Sequence, residues 1–251
     1  MKPYILITND DGYKAKGINE LAKIMTEIGD VVVMAPDGPR SGTSNALTIT
    51  HPLRYKALKE YENEKWYICN GTPTDCVKLA MNEIVERKPD LIVSGINHGT
   101  NAAINVIYSG TMGATLEGCA YGIPSLGFSL SDYDADADFS PLLPFIKKIV
   151  KQVVEKGLPD GICLNVNAPA GDIKGISIVR QAKGNWEEEF ERRTDPSGRD
   201  YFWLTGVYNN REPQTHDTDE WALANGYISV VPTKVDMTAH DFIATMKQWK
   251  F

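Results

Sequence analysis

The stretch Tyr4-Ile5-Leu6-Ile7-Thr8-Asn9-Asp10-Asp11-Gly12 constrains the fold more than any other part of this chain. Tyr4–Thr8 is short, apolar and rich in β-branched residues, so it reads as a strand buried on both faces. Such strands sit in the middle of parallel sheets, and open α/β sheets bind ligands just beyond the carboxyl ends of their strands. This strand ends at two adjacent carboxylates. Side by side they repel, and keeping both ionised and partly buried is costly unless a cation sits between them. Neighbouring side chains on an extended strand point to opposite faces, so Asp10 and Asp11 share one ion only if the chain turns there. Gly12 permits that turn. One reading is a hard divalent cation at the strand tip; the other is a strand that ends in a solvated turn with two surface aspartates.

The next segments repeat the pattern of strand and helix. Ile18, Leu21, Ala22, Met25 and Ile28 share one helical face, closed by Gly29. Residues 31–35 form a second buried strand, followed by the loop Pro36-Asp37-Gly38-Pro39-Arg40-Ser41-Gly42. Residues 47–68 read as additional strands. Thr72, Pro73 and Asp75 form a capping box that opens a helix running to about residue 87. Residues 91–94 make a strand ending in Gly95-Ile96-Asn97-His98-Gly99-Thr100-Asn101. Tyr108-Ser109-Gly110-Thr111 opens a helix whose small residues suit close packing on the sheet. Further strands are expected at 125–130, 162–166 (at or near the sheet edge) and 227–231, with helices at 140–155 and 238–249. The whole predicts a single α/β domain, residues 1–251, with a doubly wound, mostly parallel sheet.

Residues 184–219 differ in character. They are polar and aromatic, with turn signals at Pro196-Ser197-Gly198 and Asn209-Asn210, and predict a projecting hairpin arm inserted in that domain. Trp186, Phe190, Tyr201, Phe202 and Trp203 need cover, from a partner subunit or from their own.

Charge excludes some functions. The net charge is −7 and no basic tract offers a phosphate footprint, which argues against a nucleic-acid polymer as partner. A small phosphorylated substrate remains compatible, because a metal can recruit it locally. The N-terminus lacks signal-peptide features, and no apolar run approaches a membrane span. The four cysteines have no zinc or redox spacing, so a reducing, cytoplasmic setting is expected.

Three strand-end loops carry oxygen donors: Asp10 and Asp11, then Ser41, then Asn97. In a doubly wound sheet such loops converge on one crevice. An all-oxygen set suits Mg²⁺, Mn²⁺ or Ca²⁺ and disfavours zinc. Ser41 and Asn97 also fit simple turns. Ser109-Gly110-Thr111 lies at a helix start, where free N–H groups seat a phosphate, or where a cap and small residues merely pack. Asp236 can orient His240 for proton donation, although a pair at that spacing is also a common surface feature.

Taken together these motifs resemble the survival-protein-E (SurE) family of nucleotidases and phosphatases, over nearly the whole chain. The matching stretches are the turn at residues 7–12, the loops at 36–42 and 94–101, the capping box at 70–76, Tyr108-Ser109-Gly110-Thr111, and the closing Asp236-Met237-Thr238-Ala239-His240. The resemblance implies a Rossmann-like fold and a metal-dependent phosphomonoesterase acting on 5′- or 3′-nucleoside monophosphates. It implies one divalent ion per subunit, Mg²⁺ or Mn²⁺, held by Asp10, Asp11, Ser41 and Asn97. Asn9, Asn101, Ser109, Gly110 and Thr111 would line the phosphate site. Asp236 and His240 would act in turnover. In the mechanism expected from these groups, the attacking water is activated by the metal or by one of the two aspartates, Asp10 or Asp11. The arm and C-terminal segment would exchange between subunits of a homodimer or homotetramer.

Two rival classes are expected to behave differently. The opening, with Asp10-Asp11 after a buried strand, also resembles a Mg²⁺-binding receiver module of signalling proteins. A receiver would carry its phosphoacceptor Asp where this chain has Ser94-Gly95, and the chain is much longer than a receiver. The other rival is a nucleotide-binding protein without catalysis.

Overall fold

The computed structural model describes residues 2–250. Strand β1 (Tyr4–Thr8) is buried beyond its first residue. Helix α1 (Lys16–Thr26) turns Ile18, Leu21, Ala22 and Met25 inward, and β2 (Asp30–Pro36) returns through the core. β3 (Tyr55–Tyr61) and β4 (Glu64–Cys69) form an antiparallel hairpin. Residues 47–54, expected as strand, are not in it. They are mostly exposed and contain Pro52, which has no N–H to give a ladder.

Helix α2 (Pro73–Glu83) starts at the expected capping box. The Asp75 amide donates to Thr72 Oγ1 at 3.1 Å and the Thr72 amide to Asp75 Oδ2 at 2.9 Å. The helix stops short of residue 87, before Pro89, whose predecessor is disfavoured in helical geometry. β5 (Leu91–His98), a 3₁₀ turn at Ala103–Ile107, α3 (Gly110–Ala120) and β6 (Ser125–Leu130) follow. α4 (Leu143–Lys156) begins later than expected from Ser140 and Pro141, because Pro144 takes the first-turn position that needs no N–H donor. Then come β7 (Ile162–Ala168) and the short β8 (Gly175–Ile178).

The segment from Gly184 folds as a two-tier hairpin. Its inner tier pairs β9 (Gly184–Glu187) with β12 (Val207–Asn210), and its outer tier pairs β10 (Phe190–Thr194) with β11 (Asp200–Leu204). Every residue of the outer tier is exposed. Helix α5 (Asp219–Ala224), β13 (Tyr227–Lys234) and α6 (His240–Met246) complete the chain. α6 buries none of its residues.

The main sheet runs β3-β4-β2-β1-β5-β6-β7-β13-β8. β4, β2, β1, β5, β6 and β7 are parallel, whereas β3 and β13 run against their neighbours β4 and β7. β7 is therefore interior and not near an edge as expected: β13 and β8, from much later in the chain, extend the sheet past it. Alternate residues of each central strand serve opposite layers. Ile5, Ile7, Val31, Val33 and Val93 pack with α1 and α4 residues such as Leu21 and Ile146. Leu6, Val32, Met34 and Ile92 pack with α2 and α3 residues such as Val77 and Ala114. The chain leaves β1 to β2 on one side and comes back to β5 on the other. The gap between β1 and β5 is the topological switch point, where such sheets open a crevice. Among the described residues no helix is long and apolar enough to cross a membrane.

Candidate active site

The crevice is built by close approach of three loops to the end of β1. Gly12 has φ +90°, and a Cβ there would meet the Gly38 carbonyl carbon at 2.9 Å. The Asn9 side-chain amide donates to the Gly12 carbonyl at 3.0 Å and closes the turn. The Arg40 amide then donates to the Asp10 carbonyl at 2.7 Å, so the loop after β2 lies against the acidic pair. From the other side, Gly110 sits so near that a Cβ would be 2.9 Å from both Asp10 Cβ and Thr43 Oγ1. Only glycine lets the start of α3 come this close.

Asp10 is buried, and its Oδ1 accepts the Thr111 hydroxyl at 2.5 Å. Asp11 accepts the His98 amide through Oδ2 at 3.2 Å, tying it to the end of β5. Asn97 gives its side-chain N–H to the Gly99 carbonyl at 2.7 Å, which leaves its amide oxygen as the end available to a ligand. Asp10, Ser41, Asn97, Asn101 and Ser109 all line one cavity of about 350 Å³. Ser109 caps α3 by accepting the Met112 amide at 3.0 Å, so its own hydroxyl proton remains free to donate. Asn9 lies beneath the turn rather than on the cavity wall, and its Oδ1 is buried without a hydrogen-bond partner. The hydroxyl of Thr111 is engaged by Asp10.

The electrostatics are unfavourable as they stand. Burial, and then the charge of Asp11, push the Asp10 carboxyl up to about 6, while hydrogen bonds from Thr111 pull the other way. Burial likewise raises Asp11. The guanidinium in the adjoining loop does not relieve them: Arg40 directs its nitrogens to Asp37 and to the carbonyls of Asn70 and Gly71. Among the described residues no group of three or more His, Cys, Asp or Glu side chains is placed to hold a metal ion by itself. A cation in the cavity would meet Asp10, with Asp11 at the turn beside it and tied to β5, and neutral oxygens from Ser41 in the loop after β2 and from Asn97 at the end of β5. That donor set fits a hard divalent ion.

A buried amide network beneath the crevice joins Asn101, expected at the phosphate site, to Asn165 and Asn167, which the sequence reading did not single out. The Asn101 backbone amide donates to Asn167 Oδ1 at 2.7 Å, its side chain donates to Ser129 Oγ at 2.8 Å, and its carbonyl accepts from Asn165 at 2.8 Å. Asn167 in turn donates to Asn165 Oδ1 at 2.8 Å. Sheet register aligns Asn97, Ser129, Asn167 and Ser229 across four neighbouring strands. The signal was available, because Asn165 and Asn167 alternate within the apolar run Ile162–Ala168 and so share one strand face. Asp219, fully buried, accepts the Ala103 and Ala182 amides, each at 2.8 Å. It therefore clamps the Asn101 loop to the root of the arm.

Asp236 and His240 do meet, with Nε2 and Oδ2 2.6 Å apart. Hydrogen bonds from Thr238 and His240 hold the Asp236 carboxyl well below the usual range. Both side chains are more than half exposed. They do not line the crevice; Asp236 faces a separate groove with Lys234 and Met237.

Comparison with known proteins agrees with this geometry. The family model described as survival protein SurE matches residues 5–188. A protein of Flavobacterium psychrophilum named 5′-nucleotidase SurE is 56% identical over 252 residues, covering 99% of this chain and 98% of that protein. One of the same name from Phocaeicola vulgatus is 52% identical over 249 residues, covering 99% and 97%. The crystal structure of the SurE protein from Aquifex aeolicus superposes with a TM-score of 0.84 at 38% identity, covering 98% of each chain. The family model takes in the switch-point loops and the relatives cover nearly the whole chain, and the chain belongs to the SurE family.

Proposed function

We propose that this protein is a divalent-metal-dependent phosphomonoesterase, a 5′/3′-nucleotidase that hydrolyses nucleoside monophosphates to nucleoside and phosphate. The carrying observation is the buried Asp10 beside Asp11 at the β1–β5 switch point, with Ser41 in the loop after β2 and Asn97 at the end of β5. The name 5′-nucleotidase borne by full-length relatives supports the same reading. In it, Asp10, Asp11, Ser41 and Asn97 hold one Mg²⁺ or Mn²⁺. A bound ion offsets the carboxylate charge and polarises a phosphoryl oxygen.

The chain's own groups do the rest. Asn101, Ser109 and the backbone at Gly110 and Thr111 form the phosphate seat, with the free N–H groups and dipole of the α3 start facing the anion, and Asn9 supports it from beneath by closing the turn on Gly12. Thr111 acts through Asp10, fixing its carboxylate, while Ser109 donates outward. One of the two aspartates accepts the proton of the attacking water. His240, oriented by Asp236, protonates the departing ribose oxygen. Since these two groups lie outside the crevice of their own subunit, this step needs the C-terminal segment of a second copy. The exposed outer arm and the unburied α6 support a homodimer or homotetramer with exchanged segments. We take residues 1–251 as one catalytic domain with the arm at 184–219 inserted, acting in the cytoplasm.

Phosphate release from AMP with Mn²⁺, abolished by a chelator and restored by added metal, tests the reading. Binding of AMP without phosphate release would make the protein a non-catalytic nucleotide binder. A trapped aspartyl-phosphate after acetyl phosphate treatment would favour the receiver.

A further inference from the structure

The crevice does not end at the phosphate seat. A second hollow of about 360 Å³ adjoins it, lined by Asn105, Tyr108, Trp186, Glu189, Leu204 and Thr205. Asn105, Tyr108 and Trp186 belong to both. The crevice brings the oxygen- and amide-bearing side chains of Asp10, Ser41, Asn97, Asn101 and Ser109 together, whereas the hollow is walled chiefly by two aromatic rings, both shared with the crevice, and a leucine. The geometry points to a nucleobase subsite: the base of the substrate lies against the rings of Trp186 and Tyr108 while its phosphate sits at the α3 start. This assignment rests on the nucleotidase reading and adds to it the residues that would hold the base.

Trp186 is well fixed for that task. Its indole N–H donates to Asn105 Oδ1 at 2.8 Å, and its ring meets Tyr208 edge-on, centroids 6.1 Å apart. Gly206 has φ +124°, and a Cβ there would come within 3.2 Å of Trp186 Cε3, so the returning strand closes against the ring without bulk. Tyr108 is half exposed immediately before the cap residue Ser109, so a group stacked on it lies next to the phosphate seat. Asn105 retains its amide N–H groups, and Glu189 brings a carboxylate to the rim; both can bond base edges. A planar heteroaromatic group joined through a sugar to a phosphate spans the two hollows. Because every base offers a π face, stacking here binds nucleotides as a class more than it separates one base from another.

The bland alternative is that Trp186 only anchors the arm to Asn105. Trp186→Phe separates the two, since it loses the N–H···O bond but keeps a ring. The test compares kcat/KM for AMP and for glycerol 2-phosphate, which has no base, in the full-length protein with Mn²⁺. Stacking predicts that Trp186→Ala lowers the AMP-to-glycerol-phosphate ratio about tenfold or more, chiefly through KM, as uniform binding is lost. Trp186→Phe recovers most of the ratio, and Tyr108→Ala lowers it as well. A ratio unmoved in Trp186→Ala, or Trp186→Phe as impaired as Trp186→Ala, overturns the subsite. Calorimetry with adenosine, which lacks the phosphate, keeps the two proposals apart. If the wild-type protein releases no phosphate from AMP, the nucleotidase reading fails, and adenosine binding that weakens in Trp186→Ala still upholds the subsite. Adenosine that does not bind the wild-type protein overturns it.

Discussion

The switch-point crevice and the C-terminal segment each hold an aspartate with a partner, in opposite settings. Asp10 is 5% exposed and is pinned by Thr111, by the amide of Arg40 on its carbonyl, and by the close approach of Gly110. Asp236 and His240 hold each other and Thr238, and their side chains are 56% and 61% exposed. The first arrangement is over-determined by its own fold. The second is set by hydrogen bonds within one short segment and stays open to solvent. On the proposed reading, the groups assigned to the metal are fixed by one chain's own fold, whereas the group assigned as proton donor would have to be positioned by a second copy.

The contrast can be broken most directly at Asp10. Asp10→Asn keeps the shape and removes a charge, and turnover of AMP should fall by about a thousandfold or more, with weaker Mn²⁺ binding by calorimetry. Near-wild-type activity would remove the crevice from the chemistry.

His240→Ala should slow nucleotides by about a hundredfold, and aryl phosphates much less, because aryl leaving groups need no proton. Equal loss on both substrates would deny the acid role and make the C-terminal segment purely structural.

The buried network sharpens the same contrast through stability. Asn167→Ala strips partners from the buried Asn101 amide and from Asn165, and should cost about 3 kcal/mol in urea denaturation. Phe242→Asp on α6 should shift it by less than about 0.5 kcal/mol in a dilute, unassembled sample. A large effect of Phe242→Asp there would show that α6 packs within its own subunit.

Between these extremes lies Glu220, beside the Asp219 clamp. Burial, and then the charge of Asp219, push its carboxyl up from 4.5 to about 7. The folded state thus holds the Glu220 proton more tightly than the unfolded state does. That contribution is fully present below about pH 4.5 and is lost as pH rises through about 7. Thermal melts across this window should show stability declining with pH, and Glu220→Gln should flatten the decline. An unchanged slope would place the proton elsewhere.

Much of the architecture was legible because it follows from local pattern. The apolar strand Tyr4–Thr8, the capping box at Thr72 and Asp75, and the Ser109 cap are written in neighbouring residues, and each forms where its residues predict. Pro144 shifted the start of α4 by the same local logic. The hard-oxygen character of Asp10, Asp11, Ser41 and Asn97 also needed only residue type and the rule that strand ends converge. Their mutual placement stands on the crevice itself, and their occupancy by metal on experiment.

What the chain alone could not disclose depends on register and return. The alignment of Asn97, Ser129, Asn167 and Ser229 exists only because four strands, far apart in sequence, pair in one register. β7 became interior because β13 and β8 came back to cover it. Thr111 reads as a phosphate ligand from its helix-start position, yet its hydroxyl serves Asp10, because Gly110 allows an approach that no spacing encodes. Trp186 reaches the crevice only when the arm folds back over Asn105. Local sequence determined the elements and the chemistry they carry, since propensity and capping act over a few residues. The tertiary structure decided which of those groups meet, since hydrogen bonds and van der Waals contacts are short-ranged and depend on where distant segments come to rest.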